Sequence, residues 1–158
     1  MTDSDQKFMR RAIALAMEGV NNNGGGPFGC VVVKNGEIIG EGHNQVTSAN
    51  DPTAHAEVVA IRDACQKLGS FQLDGCVIYT SCEPCPMCLG AIYWARPEKI
   101  FMACSREDAA IAGFDDAFIY EEIGKRPDQR HVRTAILLRD EGLSVFKNWA
   151  GKTDKIEY

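Results

Sequence analysis

The N-terminal part of the chain alternates between helical and strand-like hydrophobic patterns. Four apolar residues recur at helical spacing and predict an amphipathic helix over about residues 4–20: Phe8, Ala12, Leu15 and Ala16. After a turn rich in asparagine and glycine, two β-rich runs flank Asn35-Gly36. This dipeptide is typical of a two-residue hairpin, so the pattern predicts two antiparallel strands.

The middle of the chain predicts a second helix and a buried strand. Residues 46–53 are polar and indicate a loop, and we expect the helix to open at Asp51-Pro52, with Asp51 as N-cap and Pro52 as the first helical residue. Gly69 is the expected C-terminal stop. The apolar run "CVIYTS" that follows predicts a strand covered on both faces of the sheet.

The remainder of the chain adds a strand and several helices. Cys85-Pro86 begins a predicted helix that runs to about Ala95, and "KIFMAC" predicts the next strand. Helices are expected near 105–112 and 116–123, a strand in "TAILL", and a C-terminal helix and tail in "GLSVFKNWAGKTDKIEY". This order predicts a single domain over 1–158, an α/β fold with three α/β/α layers around one mixed β-sheet.

Composition and charge narrow the class of protein. The chain has 158 residues, 45% of them apolar, enough for one ordinary globular domain. Its net charge of −5 disfavours nucleic acid as the main partner, and no segment predicts a signal peptide or membrane span. Seven cysteines without an export signal favour reduced thiols and a cytoplasmic location.

Two separated motifs predict a zinc site. His55 and Glu57 form H-x-E, and Pro84, Cys85 and Cys88 form P-C-x-x-C downstream, the combination typical of zinc nucleobase deaminases. Cys85 and Cys88, three residues apart at a helix start, can direct both sulfurs to one ion. With His55 they supply three ligands, which leaves zinc a fourth position for a water whose pKa falls to about 7.

Glu57 is then the candidate catalytic residue. Two residues from a metal ligand, it is placed to move protons between water, a ring nitrogen and the leaving amine. The alternative is an ordinary solvated helix glutamate, which the otherwise apolar stretch of sequence around Glu57 disfavours.

Cys82 leaves a rival interpretation open. If it joined His55, Cys85 and Cys88, the site would be a closed Cys₃His site, as in structural-zinc binding modules. However, Glu83-Pro84 predicts an extended break between Cys82 and the helix, and a closed site would leave Glu57 without a function. We therefore expect Cys82 to be a buried apolar residue rather than a ligand.

At these residues the chain resembles the cytidine-deaminase-like zinc deaminase superfamily, and within it the bacterial guanine deaminase family. The resemblance is carried by "GGPFG", "NDPTAHAEV", "TSCEPCPMCLGAIYWARP" and "AGFDDAFIY", and it covers most of the chain. It implies hydrolytic deamination of guanine to xanthine and ammonia, a step of purine catabolism. Zinc-bound hydroxide would attack C2 of the purine, with Glu57 as proton shuttle and one zinc ion per subunit.

The resemblance also implies substrate contacts. Asn44 would hydrogen-bond the base, Phe28 would stack on its ring, Asp116 would accept from purine N–H groups, and Trp94 would wall the pocket. Each has a plainer alternative: a loop cap for Asn44, a helix cap for Asp115 or Asp116, and core packing for Phe28 and Trp94.

The C-terminus carries a further implication of the resemblance. In such guanine deaminases the C-terminal segment is exchanged between the subunits of a homodimer. Here that segment would be about 141–158, so that Tyr158 would close the partner's active site. The plainer alternative is a disordered tail.

Other deaminases share the metal motif. The site alone is equally compatible with cytosine, cytidine or tRNA adenosine as substrate. A tRNA deaminase favours a basic surface, whereas residues 141–158 contain three lysines among three acidic residues. We therefore expect a small purine base, with neither nucleic acid nor membrane as a partner.

Overall fold

The computed structural model describes residues 2–158 and contains a four-stranded mixed sheet. The strands are β1 (Gly29–Lys34), β2 (Glu37–His43), β3 (Cys76–Cys82) and β4 (Lys99–Cys104), in the spatial order β2-β1-β3-β4. β1 pairs antiparallel with β2 and β3, whereas β3 and β4 are parallel. The expected hairpin, the buried strand and the "KIFMAC" strand are all confirmed.

Helices account for most of the remaining chain. They are α1 (Asp3–Asn21), α2 (Val46–Ala49), α3 (Ala56–Leu68), α4 (Pro86–Ala95), α5 (Arg106–Ile111), α6 (Ala117–Gly124) and α7 (Arg139–Gly151), with a 3₁₀ turn at Pro127–Gln129. The chain divides into two compact units, one ending at Asp116 and the other spanning Ala117–Tyr158. Among residues 2–158, none of the helices combines the length and the hydropathy that a membrane span requires.

The two faces of the sheet carry separate apolar cores. Cys30 and Val32 of β1 belong to a core shared with α3 and α4, whereas Val31 and Val33 pack with Phe8 and other residues of α1. This alternation follows from the two-residue period of a strand. The first unit therefore has the expected α/β/α layers, with α1 on one face and α3 and α4 on the other.

Polar side chains stabilise the start of α1 and join this helix to the hairpin. The Thr2 and Asp5 side chains form a capping box at the N-terminus of α1. In the middle of α1, the Arg11 guanidinium donates from Nε and Nη2 to the two carboxylate oxygens of Glu41, both at 2.8 Å. A two-pronged contact of this kind fixes direction as well as distance, so it sets the register between α1 and β2.

Two glycines of β2 allow α3 to approach the sheet closely. A Cβ on Gly42 would lie 2.3 Å from the Ala56 carbonyl oxygen, and one on Gly40 would lie 2.5 Å from the Ala60 carbonyl oxygen. Both obstacles are helix backbone, which cannot rotate away as a side chain could. The depth of α3 on the sheet therefore depends on the absence of side chains at these two positions.

The expected start of the second helix is wrong. The helix begins at Ala56, with His55 as N-cap in an extended conformation, and Asp51 and Pro52 precede it. Asp51 instead accepts hydrogen bonds from the Thr53 amide and hydroxyl, at 2.8 and 2.7 Å. This local turn satisfies the aspartate without a helix, a known competitor of N-capping.

Two other expectations differ from the structure. The polar loop over 46–53 contains the short helix α2, whose C-cap Asn50 adopts the left-handed conformation. The segment "TAILL" is not a strand: residues 134–137 have no regular structure, and Ile136 and Leu137 are more than four-fifths exposed. An apolar run has strand potential but needs an edge to pair with, which local sequence does not specify.

Candidate active site

Three potential metal ligands meet where α3 and α4 begin. His55 is the N-cap of α3, Cys85 is the N-cap of α4, and Cys88 lies in the first turn of α4. The ligand atoms all lie within 4.8 Å of one another, and His55 Nδ1 is 3.5 Å from each sulfur. One imidazole nitrogen and two sulfurs match the donor set of zinc sites that retain an open position.

The electrostatics of this cluster favour a thiolate. Hydrogen bonds from Cys88 and from His55 lower the pKa of Cys85 to about 4. The hydrogen bond to Cys85 raises the pKa of His55 against the opposing effect of burial. The start of α4 adds unpaired amide groups and a positive dipole, which also stabilise negative sulfur. A metal ion binds cysteine and histidine in their deprotonated forms. A cluster that already favours a thiolate therefore suits the positive charge of zinc, and the positions of its ligand atoms suit zinc as well.

Cys82 does not belong to the ligand cluster. It is the last residue of β3, and its thiol donates to the carbonyl oxygen of Ser105 at 3.4 Å. Burial raises the pKa of this thiol to about 11, which disfavours the thiolate that a metal requires. The closed Cys₃His arrangement is therefore wrong for this structure, and Glu83-Pro84 separates the strand from the helix as expected.

Glu57 lies inside the protein beside this cluster. Its side chain is 5% exposed, and the Thr80 hydroxyl donates to Glu57 Oε1 at 2.9 Å. Burial raises the pKa of the carboxyl, and Glu57 and Cys88 are close enough to influence each other's pKa. A solvated surface glutamate is thus excluded, and the carboxyl is placed where it can hold and release a proton.

Asn44 follows β2 and organises the glycine loop. Its Oδ1 accepts from the Gly26 amide at 3.1 Å and from the Val46 amide at 3.2 Å, and its backbone amide donates to the Phe28 carbonyl. The loop-cap interpretation of Asn44 therefore holds. The Oδ1 contacts also fix the orientation of the carboxamide, which leaves the Nδ2 amino group as its donor for any ligand.

Phe28 lies at the entrance to β1 and faces a second aromatic ring. It packs on the core beneath α3 and α4, and its ring meets that of Phe114 edge-on with centroids 5.0 Å apart. Both rings line a cavity of about 220 Å³ that also reaches Ser81 and Cys82. Phe28 therefore packs against the core and also forms part of the wall of this cavity.

The other residues expected to contact substrate are Asp116, Trp94 and Tyr158. Asp116 is half-buried, and burial raises the pKa of its carboxyl, although Arg106 opposes this effect. Trp94 lies near the end of α4 with 64% of its surface exposed, so it is not a core residue. Tyr158 ends the second unit and is likewise mostly exposed.

Two residues of the site have no counterpart in the sequence predictions. Thr80 was detectable in principle, because it is a polar residue on the face of β3 that otherwise carries Cys76 and Ile78. Phe114 stands in a loop with no periodic pattern, so its pairing with Phe28 had no local signal.

The similarity of this chain to known proteins agrees with the geometry of the site. Residues 2–104 match the family described as the cytidine and deoxycytidylate deaminase zinc-binding region. The chain belongs to this family. In this deaminase, the matched region contains His55, Glu57, Cys85 and Cys88 and ends with β4.

Similarity to individual proteins extends over the whole deaminase chain. A guanine deaminase from Bacillus subtilis is 58% identical over 153 residues, which cover 97% of this chain and 98% of that protein. Its X-ray structure matches with a TM-score of 0.95 and 57% identity, over 100% and 99% of the two chains. A tRNA-specific adenosine deaminase from Haemophilus influenzae is 37% identical over 159 residues, covering 99% of this chain and 90% of that protein.

Proposed function

We propose that this deaminase hydrolyses guanine to xanthine and ammonia, as a cytoplasmic enzyme of purine catabolism. The observation that carries the proposal is the high similarity to a guanine deaminase over nearly the full length of both chains. It continues beyond residue 104, where the zinc-binding region ends, and includes the second unit. The shared region supports deamination, and the continued similarity supports guanine as the base.

His55, Cys85 and Cys88 would hold one zinc ion per subunit. When bound, zinc would lower the pKa of a water towards neutrality and make it a nucleophile. The protein's own contribution is a preformed cluster of one buried and two partly buried ligands, in which one thiol already favours the thiolate.

Glu57 would carry out the proton transfers. The carboxylate accepts a proton from water, and the resulting carboxyl delivers it to N3 of guanine, which makes C2 electrophilic so that the water-derived oxygen bonds to C2. Glu57 then takes the second proton from the hydroxyl now on C2 and passes it to the amino group. The bond from C2 to that nitrogen breaks, the C2 carbonyl of xanthine forms, and ammonia leaves. Burial favours this role because it raises the pKa of the carboxyl, which makes the protonated, proton-donating form easier to reach.

Four residues of the first unit would select and orient the purine. The Asn44 amino group would donate to a ring or carbonyl acceptor, because its oxygen is engaged by the Gly26 and Val46 amides. Phe28 would stack on the ring, Asp116 would accept from purine N–H groups, and Trp94 would form part of the wall.

The second unit would act in a homodimer. Its exposed apolar side chains include Val145, Phe146 and Ile156, each more than 65% exposed. Such a density of exposed apolar groups is unusual for a monomer and favours a covering partner. We propose that residues 141–158 are exchanged between subunits, and that Tyr158 closes the partner's active site.

An ammonia-release assay tests the function directly. The purified protein, loaded with zinc or treated with a chelator, is incubated with guanine, cytosine, cytidine and adenine. We expect chelator-sensitive ammonia release from guanine and conversion to xanthine. No turnover of guanine at full zinc loading would refute the proposal.

A second candidate is deamination of adenosine in tRNA. It is favoured by the full-length similarity to the tRNA-specific enzyme from H. influenzae, but the chain's net charge of −5 opposes binding to a phosphate backbone. Adding a tRNA with adenosine at the anticodon wobble position to the assay separates the two. Inosine formation without xanthine formation would favour this candidate.

A further inference from the structure

Thr80 is a buried polar residue on an apolar face of the sheet. It is 1% exposed, and it shares its face of β3 with Ile78 and Cys76, two and four residues earlier, which belong to the core beneath α3 and α4. A valine would have nearly the same shape and would suit a strand at least as well. A buried hydroxyl is costly unless it is hydrogen-bonded, so the contact that it makes is informative.

That contact is with Glu57. Thr80 Oγ1 lies 2.9 Å from Glu57 Oε1, and the two residues are 23 positions apart in sequence. The bond therefore joins β3, one of the two inner strands of the sheet, to the first turn of α3. It reaches the carboxyl itself rather than the helix backbone, so it acts on the orientation of the reactive group.

A glutamate needs such support for accurate proton transfer. Its side chain has three rotatable bonds, and α3 fixes only the backbone from which it extends. Misplacement of a reacting group by about 1 Å can lower a rate by about 100-fold. Rigid neighbours that hold the reactive side chain in one orientation prevent this loss. A strand residue with a stiff, β-branched side chain is well suited to this task.

We propose that Thr80 is the positioning residue of the deaminase, and that its hydroxyl holds Glu57 Oε1 so that proton exchange with substrate occurs at Oε2. The inference rests on the proposed role of Glu57 as proton shuttle. The threonine hydrogen bond can persist through the cycle, because Oε1 accepts it both in the carboxylate and when the proton is on Oε2. Thr80 itself neither gains nor loses a proton and does not touch substrate.

Three variants of Thr80 separate positioning from packing. Thr80→Val keeps the shape and removes the donor, Thr80→Ser keeps the donor and removes a methyl group, and Thr80→Ala removes both. We expect kcat of Thr80→Val to fall about 10-fold to 100-fold, with KM within about twofold and zinc content unchanged. Thr80→Ser should retain most of kcat. If Thr80→Val does not fold, the comparison of Thr80→Ala with Thr80→Ser gives the same test.

A double-mutant cycle with Glu57→Gln tests whether Thr80 acts through Glu57. The glutamine keeps an oxygen that can accept from Thr80 but cannot shuttle protons. We expect Thr80→Val to lower kcat no further in the Glu57→Gln background, because the group that it positions is already inactive. Equal losses in both backgrounds, an unchanged kcat in Thr80→Val, or a Thr80→Ser variant as impaired as Thr80→Val would overturn the proposal.

Failure of this proposal can be told apart from failure of the proposed function. If the wild type deaminates another base but not guanine, the function is wrong, and the Thr80 variants are then compared on that base. Zinc content and thermal unfolding of every variant give readouts independent of turnover. A correctly folded, zinc-loaded wild type that is inactive on every base and on tRNA would overturn both proposals.

Discussion

Cys82 lies three residues before Cys85 in sequence but directs its thiol to the carbonyl oxygen of Ser105, the residue that follows the neighbouring strand β4. The three cysteines in "SCEPCPMC" are therefore evenly spaced in sequence but divided between two structural elements. The first thiol belongs to the sheet, and the other two belong to the start of α4.

This division predicts how zinc content responds to substitution. Cys82→Ser should keep one zinc ion per chain, because no ligand is removed. Cys85→Ser and Cys88→Ser should each lose most of the metal, since a three-ligand site cannot spare a thiolate. Metal analysis of the purified proteins by mass spectrometry gives the answer. A Cys82→Ser protein that is folded but free of zinc would contradict the assignment of the ligands.

Glu57→Gln should separate metal binding from catalysis. Glutamine has the same shape and can still accept from Thr80, so we expect normal zinc content and a melting temperature close to that of the wild type. Because it cannot carry protons, kcat should fall by at least about 100-fold. Ammonia release measured beside zinc content checks both parts. More than a tenth of wild-type activity would show that the proton travels by another route.

The contact between Arg11 and Glu41 predicts a pH-dependent contribution to stability. Hydrogen bonds from Arg11 hold the pKa of the Glu41 carboxyl below its usual value near 4.5. A lowered pKa in the folded state stabilises the protein above pH 4.5, and this stability is lost as the pH falls through the lower folded value. Because the pair is partly exposed, the effect is about 1 kcal/mol or less.

Thermal unfolding of Glu41→Gln tests this expectation. Above pH 5 the variant should be less stable than the wild type, and the difference should shrink as the pH is lowered below 4.5. Glu37→Gln, an exposed substitution in the same strand, serves as the control. A constant difference from pH 3 to pH 7 would contradict an electrostatic origin.

The proposed closure by Tyr158 predicts a loss of turnover without a loss of stability. Deletion of residues 155–158 should lower kcat/KM for guanine by about 10-fold or more, because loss of a closing segment admits water and loosens the substrate. The melting temperature should stay within a few degrees, since residues 155–158 belong to neither apolar core. Tyr158→Phe separates the aromatic ring from its hydroxyl. Full activity in the truncated protein would refute the role.

The sequence was sufficient to predict elements of the fold and of the site where short local patterns determine the structure. Asn35-Gly36 predicted the hairpin because both residues adopt positive φ, at 52° and 80°, which the two-residue turn requires. The Cys85-Pro86 start of α4 was predicted for a similar reason, since proline suits the first helical position. His55, Cys85 and Cys88 were identified because metal coordination restricts both residue type and spacing.

Local patterns failed where long-range contacts decide. Asp51-Pro52 had every feature of a helix start, yet a turn with Thr53 satisfied the aspartate and the helix began four residues later than predicted. That shift makes His55 an N-cap residue, which is how its ring comes to meet the sulfurs. The bond from Thr80 to Glu57 depends on how α3 packs on the sheet, and no pattern within either segment encodes it.

Gly42 provides a test of that packing. Gly42→Ala would place a methyl group 2.3 Å from the Ala56 carbonyl oxygen, so the first turn of α3 must move. We expect lower stability and weaker zinc retention, because His55 and Glu57 lie on either side of Ala56. Gly90→Ala is the matched control, since nothing lies within 4 Å of the added methyl group. Zinc retention under chelator challenge and thermal unfolding compare the two, and equal behaviour would contradict the packing argument.

The close approach at Gly40 and Gly42 also bears on protein engineering. A designer who grafted His55, Glu57, Cys85 and Cys88 onto another α/β scaffold would reproduce the candidate metal ligands and the candidate proton shuttle of this site. With ordinary side chains on the strand beneath, the helix would sit farther from the sheet, and the histidine and glutamate would miss their partners. The minimal transferable unit therefore includes two positions whose contribution is empty space.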